Sequence, residues 1–364
     1  MACTQCSRLS IVVAGGGKNP SKSLNQLQMR VEALRVKDLA PHEILVKVQA
    51  AAVSQQNLSL LLSDKQKELM METPFIAGTE FAGTVMEVGE SVTSFSQGDA
   101  ILGTSSDGAI TTHALVDESA CQRLPEGFSY EMGTCWIEGY VMAYKLLVER
   151  GGLSKEDRMV LVTDAASLLG FAAVQVAKAI GCQVVAIVDA KEKSTRVKAL
   201  TGAEYVFDVE TSPSYSVNVD EITNYEGVDV VLDLFGDQKL EESIRSASPL
   251  GKVLIVDNPG EEKRPNCREL ISMNSIKTIN CCSNKLLDEI KTDKQRSRNK
   301  LHKTLVNWAS CGLIKPNVSH SFSLTKVEVV KAYGVLARRA DIGSVAVRTG
   351  PLAELVPYEV DGNL

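Results

Sequence analysis

Between Met159 and Asn280 one texture repeats along the chain: a short run of Val, Ile and Leu, a helical stretch, then another apolar run. The runs are Met159–Thr163, Gln183–Val188, Glu204–Asp208, Val228–Leu234, Lys252–Val256 and Ser275–Asn280. Strands this continuously apolar suit a parallel sheet buried on both faces. Leu168 to Ile180, LLGFAAVQVAKAI, is apolar almost all round and predicts a helix packed deep against that sheet. Repeated βα units of this kind predict an α/β fold with a doubly wound parallel sheet.

The first third reads differently. From about residue 28 to 130, short β-rich runs are separated by Gly, Pro and Asp, as in Glu43–Gln49, Gly83–Val88 and Ala114–Val116. Such punctuation predicts a small barrel or sandwich. Residues 15–27 read as a loop or hairpin turn. Near Pro316 the texture shifts again, to a helical stretch Lys326–Arg339 and a short strand Ser344–Arg348. This tail is assigned back to the first domain, because chain termini often lie close together. The expected division is 1–135 with 317–364 for the β-rich domain and 136–316 for the sheet domain. A chain of 364 residues is long enough for two such cores.

Charge and cysteine usage exclude some classes. Lys and Arg number 39 against 45 Asp and Glu, a formal charge of −6. With no long basic stretch, a dedicated nucleic-acid binder is disfavoured. The basic residues of 285–304 have acidic neighbours at their start and read as a solvated helix face. No window offers the ~18 apolar residues of a membrane span. The N-terminus lacks the charged start and long apolar run of a secretory signal. Nine scattered cysteines read as free thiols in a reducing compartment, hence a cytoplasmic protein. Cys3 and Cys6 have metal spacing but no second pair to complete a site.

The run Gly78-Thr-Glu80-Phe-Ala-Gly83-Thr-Val85-Met-Glu-Val88-Gly89, followed by Gly98-Asp99, has glycines spaced as turn and close-approach positions. It resembles the Gly-x-Glu-x-x-Gly-x-Val-x-x-Val-Gly run of the medium-chain dehydrogenases/reductases. The resemblance continues in order through Met142-Ala-Tyr144, Val160-Leu-Val162, Gly227 to Asp233 with Gly236, Pro249 to Val253 and Ile342-Gly343-Ser344. It implies a GroES-like β-rich barrel domain, a Rossmann domain and a nicotinamide cofactor. Fold membership alone does not establish activity.

Zinc members of that family hold the metal with Cys, His and Cys. The matching positions here are Ser54, Thr79 and Thr134, with Cys135 one place off. Hydroxyls make a poor zinc site, and the chain has only four His, so no metal is expected. The resemblance thus points to the zinc-free, quinone-oxidoreductase-like branch. There the family's turn, usually Gly-Ala-Ala-Gly-Gly-Val-Gly, is replaced by Asp164-Ala-Ala-Ser167-Leu168-Leu169-Gly170. A pyrophosphate site needs small residues at a helix N-terminus. Ser167 can donate to a phosphate, whereas Leu168 would crowd one and Asp164 would repel it. Gly170 is kept, as is Gln175-Val-Ala177. Two readings therefore stay open: a shifted turn that still binds nucleotide, or an altered site whose fold acts as a binding or scaffold protein.

Asp189 could accept the ribose hydroxyls of NADH, whereas Lys193 aligns with a lysine that reaches the 2′-phosphate in quinone-reductase relatives. Lys191 and Arg196 add positive charge, and the resemblance tips the expectation to NADPH. In the substrate cleft the candidates are Ser54, Asn57, Met142 and Tyr144, of which Met142 cannot donate a proton. The function expected is zinc-independent hydride transfer to a quinone, enone or similar small carbonyl compound. By the family's habit a homodimer is expected, joined through the edge strand Ser275–Asn280.

Overall fold

The computed structural model describes residues 6–14, 24, 26–34, 39–62, 75–236, 239–257, 267–273, 275–292 and 295–350. Cys3 and most of the 15–27 segment lie outside these residues. The chain divides into two compact units. Unit 1 comprises Met1–Thr134, His320–Ala340 and Val345–Leu364; unit 2 comprises Cys135–Ser319 and Asp341–Ser344.

The early strands are β1 (Cys6–Val13), β2 (Leu27–Leu34), β3 (Glu43–Val53), β4 (Phe75–Ile76), β5 (Glu80–Val88), β6 (Ala100–Thr104), β7 (His113–Asp117) and β8 (Cys121–Arg123). Then come β9 (Met159–Val162), β10 (Gln183–Val188), β11 (Tyr205–Asp208), β12 (Val228–Asp233), β13 (Ala247–Asp257) and β14 (Lys277–Cys282). The last two are β15 (Val318–Ser323) and β16 (Ser344–Arg348).

In unit 1, β1 pairs antiparallel with β2 and β4 to make a three-stranded sheet. The larger sheet runs β15-β16-β3-β5-β6-β8, with β7 also on β3. One edge of β3 carries β5, and its other edge is shared by β7 at Glu43–Lys47 and by β16 at Ala50–Val53. Register shifts at Leu45/Val46 and Val48/Ala50 bend β3 so that it can serve all three. The glycines of the motif explain the packing. At Gly83 a Cβ would collide with the Lys47 carbonyl, so β5 can lie this close to β3 only with glycine there. The core joins Ile44, Val46, Val48, Phe81 and Ile101 to Val329, Ala332 and Tyr333 of the Lys326–Ala337 helix.

In unit 2 six parallel strands run β11-β10-β9-β12-β13-β14. Numbered within the sheet this is 3-2-1-4-5-6, the Rossmann order. Every residue of β9 is buried, as its unbroken apolar sequence requires. The Leu168–Ile180 helix has the bounds read from its sequence, and Gly181 ends it at φ 111°.

Some bounds differ from expectation. The last sheet strand is Lys277–Cys282, because Ser275 turns the chain at φ 51° and cannot be part of a strand. Strand β13 starts five residues early, with a register break opposite β12 that carries Leu250 at φ 66°. The last helix stops at Ala337, because Arg339 takes φ 50°.

Candidate functional site

In this sheet the strand order reverses between β9 and β12, and ligands of such sheets bind at that switch point, beyond the carboxyl ends of the strands. Thr163 and Asp233 stand there, both fully buried. Thr163 Oγ1 accepts from the N–H groups of Leu234 (2.7 Å) and Phe235 (3.1 Å), and it lies 3.2 Å from Asp233 Oδ1, to which it donates. Asp233 also accepts from Ser243 Oγ (2.8 Å) and from the N–H of Gly236 (3.1 Å). Burial raises the Asp233 pKa, and these hydrogen bonds oppose the rise. The result is a braced loop at 234–236, with Gly236 at φ 63°. Sequence reading picked out Gly236 but not Thr163, which looked like an ordinary strand end.

The turn between β9 and the next helix keeps a glycine-like backbone without its glycines. Asp164 sits at φ 49°, a left-handed conformation that Asp tolerates better than most residues. Its carbonyl accepts from Ser167 N (2.9 Å) and Ser167 Oγ (2.8 Å). Ser167 is the helix N-cap, its Oγ accepting from Gly170 N at 3.2 Å. Its hydroxyl proton is therefore engaged by the turn rather than offered to a phosphate. A Cβ on Gly170 would overlap the Asp164 carbonyl oxygen, which makes glycine obligatory where helix and turn meet. Leu168 does not need to crowd an anion: its Cδ1 lies 3.0 Å from where a Cβ on Gly139 would stand, so its side chain is laid on that glycine. The N–H groups of Leu168 and Leu169 begin the helix and have no intrahelical partner.

Beside the turn, Asp189 and Lys193 form one ion pair, with Nζ at 2.7 and 2.8 Å from the two carboxylate oxygens. Lys193 is buried. Its ammonium, expected to reach a 2′-phosphate, is held by the carboxylate expected to accept the ribose hydroxyls. Asp341 is also buried here; its carboxyl is pushed up to about 6, chiefly by burial, with Lys193 opposing and Asp164 and Asp189 adding to the rise.

The remaining candidates fall in separate places. Ser54 and Asn57 belong to unit 1, Met142 and Tyr144 to unit 2. Ser54 caps the Gln55–Leu62 helix, its Oγ accepting from the Asn57 N–H at 3.3 Å. Asn57 and Thr79 line one cavity. Met142 is core, 3 % exposed. Tyr144 packs on Trp308 with ring centroids 5.8 Å apart, and burial raises its pKa. Met142–Tyr144 is a three-residue α segment between two π-helical segments, Trp136–Val141 and Lys145–Arg150, an irregularity that no sequence period announces. Gln175 is structural: it accepts from Tyr140 Oη (2.8 Å) and Lys315 N (2.7 Å) and donates to the carbonyls of Leu200 (3.1 Å) and Lys315 (3.2 Å). At the positions expected to match the family's zinc ligands, Ser54 is a helix cap and Thr134 Oγ1 donates to the Glu131 carbonyl at 2.8 Å. This donor set does not fit zinc. Among the described residues no group of three or more His, Cys, Asp or Glu could hold a metal ion.

Residues 40–158 match the alcohol dehydrogenase GroES-like domain family and residues 169–294 the zinc-binding dehydrogenase family. The chain belongs to the medium-chain dehydrogenase/reductase superfamily, on its quinone-oxidoreductase-like branch. Within this superfamily, the quinone oxidoreductase-like protein 2 homolog of Nematostella vectensis is 28 % identical over 316 residues, 86 % of this chain and 83 % of that one. The quinone oxidoreductase of Homo sapiens is 24 % identical over 220 residues, 60 % of this chain and 65 % of that protein. A solved mycobacterial protein complexed with NADPH shares the fold, with TM-score 0.79, 22 % identity, and coverage of 94 % of this chain and 100 % of that one. So does the human synaptic vesicle membrane protein VAT-1 homolog-like protein, with TM-score 0.78, 21 % identity and coverage of 95 % and 99 %.

The superfamily turn makes one prediction here. Replacing both Ser167 and Leu168 by Gly removes a cap and a packed side chain without clearing the helix N-terminus, so nucleotide affinity should not improve. Asp164→Gly removes a negative charge and the left-handed strain of a residue bearing a Cβ, and should tighten binding about fivefold. Calorimetric titration of both variants checks this; tighter binding by the double variant would mean that Leu168 does obstruct the ligand.

Proposed function

We propose that the chain is an NAD(P)H-dependent oxidoreductase that works without zinc and reduces a quinone, enone or similar small carbonyl compound. The observation that carries this reading is the Leu168–Ile180 helix. Its N-terminus stands at the sheet's switch point with two backbone N–H groups unclaimed within the helix and Leu168 seated on Gly139. A bound dihydronicotinamide would supply hydride. The chain's own part is to hold and orient. The N–H groups of Leu168 and Leu169 would receive the pyrophosphate, the Asp189 carboxylate the ribose hydroxyls, and the loop braced by Thr163 and Asp233 would set the position of the ring. Zinc independence is supported by the hydroxyl set Ser54, Thr79 and Thr134.

The sequence favoured NADPH through Lys193. A 2′-phosphate would have to take Lys193 from Asp189, with Asp164 and Asp341 nearby. NADH asks for no such exchange, so NADH is proposed to bind more tightly than NADPH. A homodimer through the outer edge of β14 remains part of the proposal, tested by sedimentation at micromolar concentration.

One observation favours the rival reading of a non-catalytic binding or scaffold protein: the carboxylates Asp164 and Asp189 add to the rise of the Asp341 pKa, against Lys193. Titration with NADH and NADPH separates the two. Micromolar binding, followed by oxidation of the bound nucleotide on adding a quinone or enone, supports the enzyme. Absence of binding at millimolar concentration overturns it.

Asp341 sets the expected pH dependence. Its folded pKa of about 6 lies above the ordinary aspartate value of about 3.9. Its contribution to stability is therefore fully present below about pH 4 and is lost as pH rises through 6. Protonation also removes one negative charge from the cluster, so NADH affinity should rise about fivefold between pH 7 and pH 5. In Asp341→Asn the affinity should be flat over that range. An unchanged pH profile in this variant would remove Asp341 from the site.

A further inference from the structure

The three-stranded sheet of unit 1 ends on a strand whose outer edge no described strand pairs. In the order β2-β1-β4, β2 is that edge and bonds to β1. Backbone bonds on the far side of β1 fix which groups of β2 face outward. Leu9 N donates to Thr112 Oγ1 at 2.9 Å, and Leu9 O accepts from Thr112 N at 2.9 Å. Ile11 N donates to Ile110 O at 3.0 Å, and Ile11 O accepts from Ala77 N at 2.9 Å. Leu9 and Ile11 thus turn their polar groups away from β2, where they stand opposite Val31 and Met29. In an antiparallel ladder the members of such a pair exchange no hydrogen bonds, and both turn N–H and C=O outward. Met29, Val31 and, by the same alternation, Ala33 therefore present theirs along the outer edge of β2. Their side chains are exposed as well, Met29 by 43 % and Val31 by 49 %.

An open edge of this kind is a template for another strand, and the charges along it say which. A second copy of β2, laid antiparallel about a two-fold axis through Val31, sets Met29 of each copy opposite Ala33 of the other. It also sets Arg30 of each copy opposite Glu32 of the other. Centring the axis on Arg30 or on Glu32 instead would bring like charges face to face, which destabilises a ladder. A shift of one residue would set outward-facing groups against inward-facing ones. Of these registers, the one through Val31 joins opposite charges. Both groups have capacity for the new contact. Glu32 Oε2 accepts from Arg8 Nε and Nη2 at 3.1 and 2.8 Å, and Oε1 meets Arg30 Nε at 3.0 Å. A carboxylate offers about four acceptor sites, so one stays open. The Arg30 side chain is 53 % exposed and meets Glu32 through Nε, which leaves the outer fork of its guanidinium for a second carboxylate.

We propose that β2 is a self-pairing edge, through which two copies of this chain join antiparallel with Val31 against Val31. About six backbone hydrogen bonds form across it, and the Met29, Val31 and Ala33 rows of the two copies cover one another. The charges add little strength at so exposed a place and act by fixing the register. The edge lies in unit 1 and needs no nucleotide, so it stands apart from the β14 edge and from the cofactor titration. Val31→Cys puts two thiols at the axis with Cα atoms about 5.5 Å apart, within the reach of a disulfide. Full-length protein is oxidised with diamide at micromolar concentration and read on a non-reducing gel. The parent reports the native cysteines, and Met86→Cys, exposed on β5, reports random collision. Val31→Cys should cross-link about tenfold faster than Met86→Cys or more. Arg30→Glu in the Val31→Cys protein should slow cross-linking by about the same factor, and adding Glu32→Arg should restore it, with near-ultraviolet circular dichroism unchanged. Cross-linking of Val31→Cys at the Met86→Cys rate would overturn the proposal, and so would a rate indifferent to Arg30→Glu.

Discussion

Thr163→Val is expected to destabilise unit 2 by about 3 kcal/mol, a shift of more than a hundredfold in its folding equilibrium. The substitution conserves shape, so packing is nearly untouched. It removes the single oxygen that accepts from Leu234 N and Phe235 N and that donates to Asp233. Both Thr163 and Leu234 are buried, where water cannot take over. Two orphaned donors and a carboxylate short of one hydrogen bond account for the size of the effect. Both tryptophans, Trp136 and Trp308, lie in unit 2. Urea unfolding followed by their fluorescence therefore reads this unit directly. Thr163→Ser keeps the hydroxyl and should lose less than half as much. A valine variant within 0.5 kcal/mol of the parent would mean that the 234–236 loop has other support.

The second large effect is expected at Gly170. A Cβ there would meet the Asp164 carbonyl at a separation that real Cβ atoms do not adopt, and the obstacle is backbone rather than a flexible side chain. Gly170→Ala must push the helix from the turn or unwind its first turn. Overpacking of this kind costs about 3 kcal/mol. It also displaces the N–H groups of Leu168 and Leu169, so NADH binding should fall at least a hundredfold. Calorimetry on protein still folded by circular dichroism measures the second effect separately from the first. Near-normal affinity would show that the helix N-terminus does not hold the ligand.

The two effects differ in how visible their residues are in the sequence. Gly170 is a glycine opening a helix after an apolar strand, and the need for close approach can be read from that pattern. Thr163 has no pattern. It is one hydroxyl among apolar neighbours, and its role exists only because β9 and β12 lie side by side while 70 residues apart in the chain. The same holds for Asp341, which reaches Asp164, Asp189 and Lys193 from far along the chain.

The sequence by itself determined the strand order's ingredients and the helix that opens the site. Continuous Val, Ile and Leu can only be buried on both faces, and the spacing of Gly78, Gly83 and Gly89 permits close strands. These are local constraints, set by side-chain size and period. It also located the altered turn at Asp164–Gly170. Only the tertiary structure decided which partners the side chains of that turn find. Leu168 looked like an obstruction until Gly139, on another segment, provided its seat. Lys193, expected to reach a phosphate, has its ammonium on the Asp189 carboxylate. Ser54 and Ser167, expected beside substrate and phosphate, each accept a helix-capping hydrogen bond. In each case the question was which partner a polar or bulky group finds first. That depends on distances between segments, which composition and period do not encode.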